Sequence, residues 1–213
     1  MKCDKNTMLL YAVTDRAWLG DMTLYQQVEL ALKGGVTCVQ LREKELSDED
    51  FLAEAIEISA LCKKYGVPFF INDNVDIAVK CKADGIHVGQ EDMAAAKVRE
   101  RVGEDMMIGV SVHSVSEALE AVAAGADCLG VGAMFSTSTK ADASVLPKDT
   151  LRDICNAVDI PVVAIGGIGK GNIDKLKGTG VDGVALVSAI FSAEDIESEC
   201  RELRKLSEEM VRG

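Results

Sequence analysis

The sequence predicts a single α/β domain folded as a (β/α)8 TIM barrel, and three observations carry that expectation. Short apolar runs recur eight times along the 213 residues. They are nearly continuous in apolar residues rather than alternating, as strands buried on both faces are. Between them lie longer segments of helical period, and strand–helix alternation implies a parallel sheet. Eight units leave about 27 residues each, the size of a strand, a helix and two short loops. An open doubly wound sheet is the alternative, weakened because no GxGxxG run follows the first strand.

Taken in order, the expected strands are 9–14, 37–41, 68–71, 85–88, 107–112, 128–131, 162–165 and 183–187. In segment 48–64, Phe51, Leu52, Ala55, Ile56, Ser59 and Leu61 recur at helical spacing. Ser47 with Asp50 at its start resembles a capping box. A further helix is expected over 93–102, after Asp92. A weak internal repeat runs helix ends into strands through Ala83-Asp84-Gly85, Gly125-Ala126-Asp127 and Gly180-Val181-Asp182-Gly183. Glycine suits the left-handed position that closes a helix, and the Asp falls just before the next strand. The segment from Ser136 to Pro147 is long for a barrel loop and reads as a substrate lid.

Composition narrows the function. The 23 Lys and Arg against 35 Asp and Glu give a formal charge of −12 with no basic stripe, which excludes a nucleic-acid partner. No run approaches the roughly 20 apolar residues of a membrane helix. The amino end lacks the apolar segment of a signal peptide, so a cytoplasmic protein is expected. The seven scattered cysteines form no CxxC pair and read as small buried hydrophobes in a reducing compartment. The chain is compatible with a homo-oligomer.

A barrel carries its chemistry at the carboxyl ends of its strands, so polar residues there are informative. Asp73 and Asp92 end neighbouring strands, where two converging carboxylates suit Mg²⁺ completed by substrate phosphate oxygens. Each could instead cap a helix, with Asn74 the better cap candidate beside Asp73. Arg42, Lys44 and Lys140 put cations on the same rim of an acidic chain. Gly166-Gly167 and the segment after Val187 follow strands 7 and 8, the usual phosphate site of these barrels. Together they describe a site for small molecules bearing two phosphorylated groups. Of the two histidines, His87 lies within a strand and reads as a barrel residue. His113 follows the fifth strand and could do acid–base work.

Five blocks carry a resemblance over nearly the whole chain: Gln40 to Lys44 (QLREK), 71–78 (INDNVDIA), 84–92 (DGIHVGQED), 137–140 (TSTK) and 164–168 (AIGGI). In this order they resemble the thiamine-phosphate synthases. That family joins a pyrimidine diphosphate to a thiazole phosphate and releases pyrophosphate through a dissociative path. The resemblance implies that Gln40, Leu41, Arg42, Glu43, Lys44, Asn72, Ser111 and Lys140 bind the pyrimidine diphosphate. Of these, Arg42, Lys44, Ser111 and Lys140 would be catalytic. It further implies that Asp73 and Asp92 hold Mg²⁺, and that Thr137, Ser138, Thr139, Gly167, Val187 and Ser188 hold the thiazole phosphate. Ser136 departs from the family, which often has Pro there. Thiazole tautomerases are an alternative, since they share the barrel and a segment resembling 111–114, with a catalytic histidine. A non-catalytic phosphate-binding barrel is the other.

Overall fold

A computed structural model describes residues 3–137 and 144–213. In chain order the elements are β1 (Leu10–Val13), a 3₁₀ turn (Arg16–Trp18), α1 (Leu24–Lys33), β2 (Cys38–Leu41), α2 (Asp48–Tyr65) and β3 (Phe69–Asn72). They continue through α3 (Val75–Cys81), β4 (Gly85–Val88), α4 (Ala95–Val102), β5 (Met107–Val112), α5 (Val115–Ala123) and β6 (Cys128–Val131). The chain ends with α6 (Lys148–Ala157), β7 (Val162–Ile165), a 3₁₀ turn (Ile173–Leu176), β8 (Gly183–Leu186), α7 (Ser188–Phe191) and α8 (Ile196–Arg212). The strands pair in sequence order, all parallel, and β8 closes on β1 through Tyr11 opposite Ala185. The closed barrel is the one the apolar runs predict.

Strand alternation divides the apolar side chains between two cores. Tyr11, Cys38, Phe70, Met107, Cys128, Val163 and Ala185 fill the barrel interior. Leu10, Val39, Ile71, Ile86, Leu129 and Val184 face outward against Val28, Ile58, Ile77 and Leu203 of the surrounding helices. Each fully buried Leu or Ile contributes roughly 1.5–3 kcal/mol. His87 also lies within the barrel, and Gly109 makes room for it. A Cβ at Gly109 would sit 2.4 Å from His87 Nδ1.

The Asp residues of the weak repeat share one task at the barrel floor. Asp84, Asp127 and Asp182 accept an amide N–H at the start of the preceding strand, from Phe69 (3.0 Å), Ile108 (2.8 Å) and Val162 (3.0 Å). Thr37 Oγ1 does the same for Leu10 at 2.8 Å. A side-chain acceptor before each even-numbered strand thus satisfies an amide at the start of the strand before it. The pattern recurs every two strands around the barrel.

Several local expectations are corrected. No α-helix joins β7 to β8. A single 3₁₀ turn does so, and both α7 and α8 follow β8. Helix α4 starts at Ala95 rather than 93 and has no side-chain cap, so Asp92 does not cap it. Ser47 accepts the Asp50 N–H, but Asp50 turns its carboxylate to the Ser47 hydroxyl, leaving half a capping box. The reciprocal box belongs to Thr23 and Gln26 at α1. Lys82, not a glycine, takes the left-handed position after α3, with φ 54°. Among the described residues no helix is long and apolar enough to cross a membrane.

Candidate active site

Parallel strands bring all their carboxyl ends to one mouth, and the polar residues there hold one another in place. Gln40, buried at the end of β2, donates from Nε2 to Tyr11 Oη at 2.9 Å. Leu41 alternates outward and packs in the outer core, leaving only its backbone at the rim. Thr14 Oγ1 accepts the Arg42 amide N–H at 3.0 Å, and Asp15 Oδ2 pairs with Arg42 Nη1 at 3.2 Å. The Glu43 carboxylate is buried against Arg16 Nε at 2.7 Å, and Arg16 Nη2 reaches Glu54 Oε1 at 2.6 Å. Burial pushes the Glu43 carboxyl above its ordinary value, with the Arg16 charge opposing.

Lys44 crosses to the next strand end, where its Nζ meets Asp73 Oδ2 at 2.5 Å. Asp73 adopts φ 61°, and Asn72 Nδ2 donates to its other oxygen at 2.9 Å. Asn74 caps α3 by accepting the Ile77 N–H, so capping does not occupy Asp73. Asp92 Oδ2 accepts the Gly89 N–H at 2.7 Å, which folds the loop after β4 back on itself. Burial is the main force raising the Asp73 carboxyl, and the neighbouring Asp92 adds to it while Lys44 opposes. The two carboxylates converge. Among the described residues no cluster of three or more His, Cys, Asp or Glu forms a self-contained metal centre.

Across β4 and β5, His87 Nε2 and Ser111 Oγ lie 2.9 Å apart. Gln90 Nε2 donates to the Ser111 carbonyl at 2.7 Å. His113 instead sits half-exposed against Glu117, with Nδ1 3.2 Å from Oε2.

On the far side of the mouth, a cavity of about 330 Å³ lies among Thr137, Gly167, Gly169, Asn172, Ser188 and Ser192. Gly167 has φ 63°, and a Cβ there would come within 2.4 Å of the Ser136 carbonyl oxygen. Only glycine fits so close to the loop after β6. Asn172 shapes the wall, accepting the Gly169 N–H and donating to the Gly167 carbonyl, both at 2.9 Å. Val187, the residue before α7, precedes Ser188 at this edge. Ser138, Thr139 and Lys140, with the rest of 138–143, half of the expected lid over 136–147, lie outside the described residues.

The sequence does not single out Arg16 or Asn172, and Asp15 and Gln90 stand out there only as polar residues following strands 1 and 4. The partners of Asp15, Arg16 and Gln90 lie on other elements, and nothing local marks such pairs, whereas Asn172 bonds within its own loop.

The comparisons with known proteins agree with this geometry. Residues 10–190 match the family model described as thiamine monophosphate synthase. The chain is 50% identical over 192 residues to the thiamine-phosphate synthase of Clostridium acetobutylicum, covering 90% of this chain and 91% of that protein. It is likewise 50% identical over 197 residues to that of Ruminiclostridium cellulolyticum, covering 92% and 94%. A solved structure of thiamine phosphate pyrophosphorylase from Pyrococcus furiosus superposes with a TM-score of 0.90 at 40% identity, over 97% of this chain and 98% of that one. With a family model spanning the barrel and relatives at half identity over nine-tenths of the chain, the protein belongs to the thiamine monophosphate synthase family.

Proposed function

We propose that this chain is a thiamine-phosphate synthase, joining 4-amino-2-methyl-5-(diphosphooxymethyl)pyrimidine to hydroxyethylthiazole phosphate with release of pyrophosphate. One observation carries the reading: a single barrel mouth offers two separate places for phosphorylated groups. Arg42, Lys44 and the Asp73–Asp92 pair stand on one side, and the cavity beside Gly167 and Ser188 on the other.

The donor set suits Mg²⁺. It consists of hard carboxylate oxygens only, two converging acids with a lysine neutralising one of them, and the ion commonly takes one or two carboxylates plus substrate phosphate. Asp73 and Asp92 would hold it. When bound, it supplies positive charge against the departing diphosphate. Arg42, Lys44 and, by resemblance, Lys140 add charge to the same oxygens, which grow more negative as the bond from the pyrimidine methylene carbon to the diphosphate oxygen breaks. Gln40, Asn72 and Ser111 line the interior end of the site and orient the pyrimidine. The thiazole phosphate would be held by Thr137, Ser138, Thr139, Gly167, Val187 and Ser188, so that the ring nitrogen donates its electron pair to the pyrimidine methylene carbon. The electron pair of the broken bond leaves with pyrophosphate, and no protein nucleophile is required.

The seven free thiols favour a reducing, cytoplasmic location. The deciding experiment incubates the protein with both phosphorylated substrates, with and without Mg²⁺. Thiamine phosphate and pyrophosphate formed only with the metal are the expected result. Isomerisation of a thiazole carboxylate phosphate without thiamine phosphate would replace this reading with a tautomerase.

A further inference from the structure

We infer that Arg16 is a positioning residue for the diphosphate subsite, acting through Glu43 to set the chain between Arg42 and Lys44. The inference rests on the synthase reading. The loop after β1 meets the loop after β2 at three successive residues. Thr14 takes the Arg42 amide, Asp15 the Arg42 guanidinium, and Arg16 the Glu43 carboxylate. Arg16 is itself anchored on α2 through Glu54, so the contact ties two loops to a rigid helix.

The Glu43 side chain is only 2% exposed, which leaves it no surface to offer a substrate. Its neighbours are different. Lys44 is half-exposed and reaches Asp73, while Arg42 lies beside Asp15 at the mouth. Arg42, Glu43 and Lys44 directly follow β2, and with Glu43 held inward by Arg16 the two flanking cations stand toward the mouth, Arg42 at Asp15 and Lys44 at Asp73. A buried carboxylate persists only when paired. Arg16 supplies that pairing with two prongs, Nε to Glu43 and Nη2 to Glu54. The Glu of the QLREK block then serves placement of the two cations on either side of it rather than contact with ligand.

The test compares wild type with Arg16→Lys and Glu43→Gln. Lysine keeps the charge but has one ammonium where the guanidinium holds two carboxylates, Glu43 by an ion pair and Glu54 by a hydrogen bond. Gln keeps the shape of Glu43 and leaves Arg16 its Glu54 partner, so this variant remains folded if Arg16→Lys does not. Both should lower kcat/KM for the pyrimidine diphosphate roughly 10- to 100-fold, the scale of a small misplacement of binding groups. KM for the thiazole phosphate should stay within about two-fold, because that group sits on the far side of the mouth. Calorimetry with inorganic pyrophosphate and Mg²⁺ should show correspondingly weaker binding in both variants. The double variant should be no worse than the poorer single one. Equal loss toward both substrates, or a lowered melting temperature with both kinetic constants unchanged, would overturn the role. Should wild type form no thiamine phosphate, the synthase reading fails by itself, and pyrophosphate binding still decides: equal affinity in wild type and Glu43→Gln defeats the positioning role.

Discussion

Asp73 combines a left-handed backbone, a lysine partner and a second carboxylate nearby, and no helix-capping duty explains them. Asn tolerates positive φ at least as well as Asp and is nearly isosteric. Asp73→Asn should therefore remove one charge without disturbing the loop. Activity is expected to fall by about 100-fold or more, in line with removal of a group that stabilises developing charge. The melting temperature should hold or rise, since a repulsion between acids is relieved while the exposed Lys44 pair is worth little. Unchanged turnover would detach Asp73 from the metal. His113 presents the opposite case, engaged with Glu117 on α5 and half-exposed. His113→Ala should retain most synthase turnover in a steady-state assay. A folded but inactive variant would demand a proton-transfer step that the charge-based mechanism does not contain.

At the scale of elements, the ends of the barrel divide their duties. The carboxyl-terminal loops carry the cations, the acids and the cavity beside Gly167, whereas the floor is held by Thr37, Asp84, Asp127 and Asp182. Asp84→Ala would leave the Phe69 amide without its acceptor and should cost about 1–3 kcal/mol in urea denaturation. Because the change lies at the opposite end from the chemistry, kcat and both KM values should remain as in wild type. Loss of catalysis at unchanged stability would contradict that division. The β7–β8 connection gives up its helix for glycine-rich chain, and Gly167 and Gly169 border the cavity there.

For the whole molecule, burial of thiols makes stability fall at high pH. Burial pushes Cys62 and Cys200, both without exposure, up to about 12 from 9.0. The sign follows from linkage. The unfolded chain releases these protons first, from near pH 9, whereas the folded chain keeps them, so the stabilisation present below pH 9 is lost as pH rises toward 12. Each thiol can remove up to about 1.4 kcal/mol per pH unit across that window. Denaturation midpoints should thus be level between pH 7 and 8 and drop from pH 9 to 10.5. Replacing Cys62 and Cys200 by Ala should flatten the alkaline limb, even where the cavities lower stability at pH 7. An equally steep limb in that double variant would assign the effect to other groups.

The sequence by itself determined the architecture and the end of the barrel where chemistry belongs. Strands 85–88, 107–112, 128–131 and 162–165 are legible with their full bounds, because strands buried on both faces are written as nearly continuous apolar runs. Polar residues such as Asn72, Asp73 and Ser111 could be placed at the mouth because all strands of a parallel barrel end there. Only the tertiary structure decided who partners whom. Glu43 reads as one more charged residue in QLREK until closure of β1 against β2 brings Arg16 to it. Asp92, a plausible helix cap by position, turns to Gly89. The recurring Asp before β4, β6 and β8 acquires its meaning from strand starts 15 to 20 residues upstream. Apolar periodicity reports which face of an element is buried, a local property. Ion pairs and buried hydrogen bonds depend on which loops the closed barrel sets side by side, and that information appears only once the chain has closed.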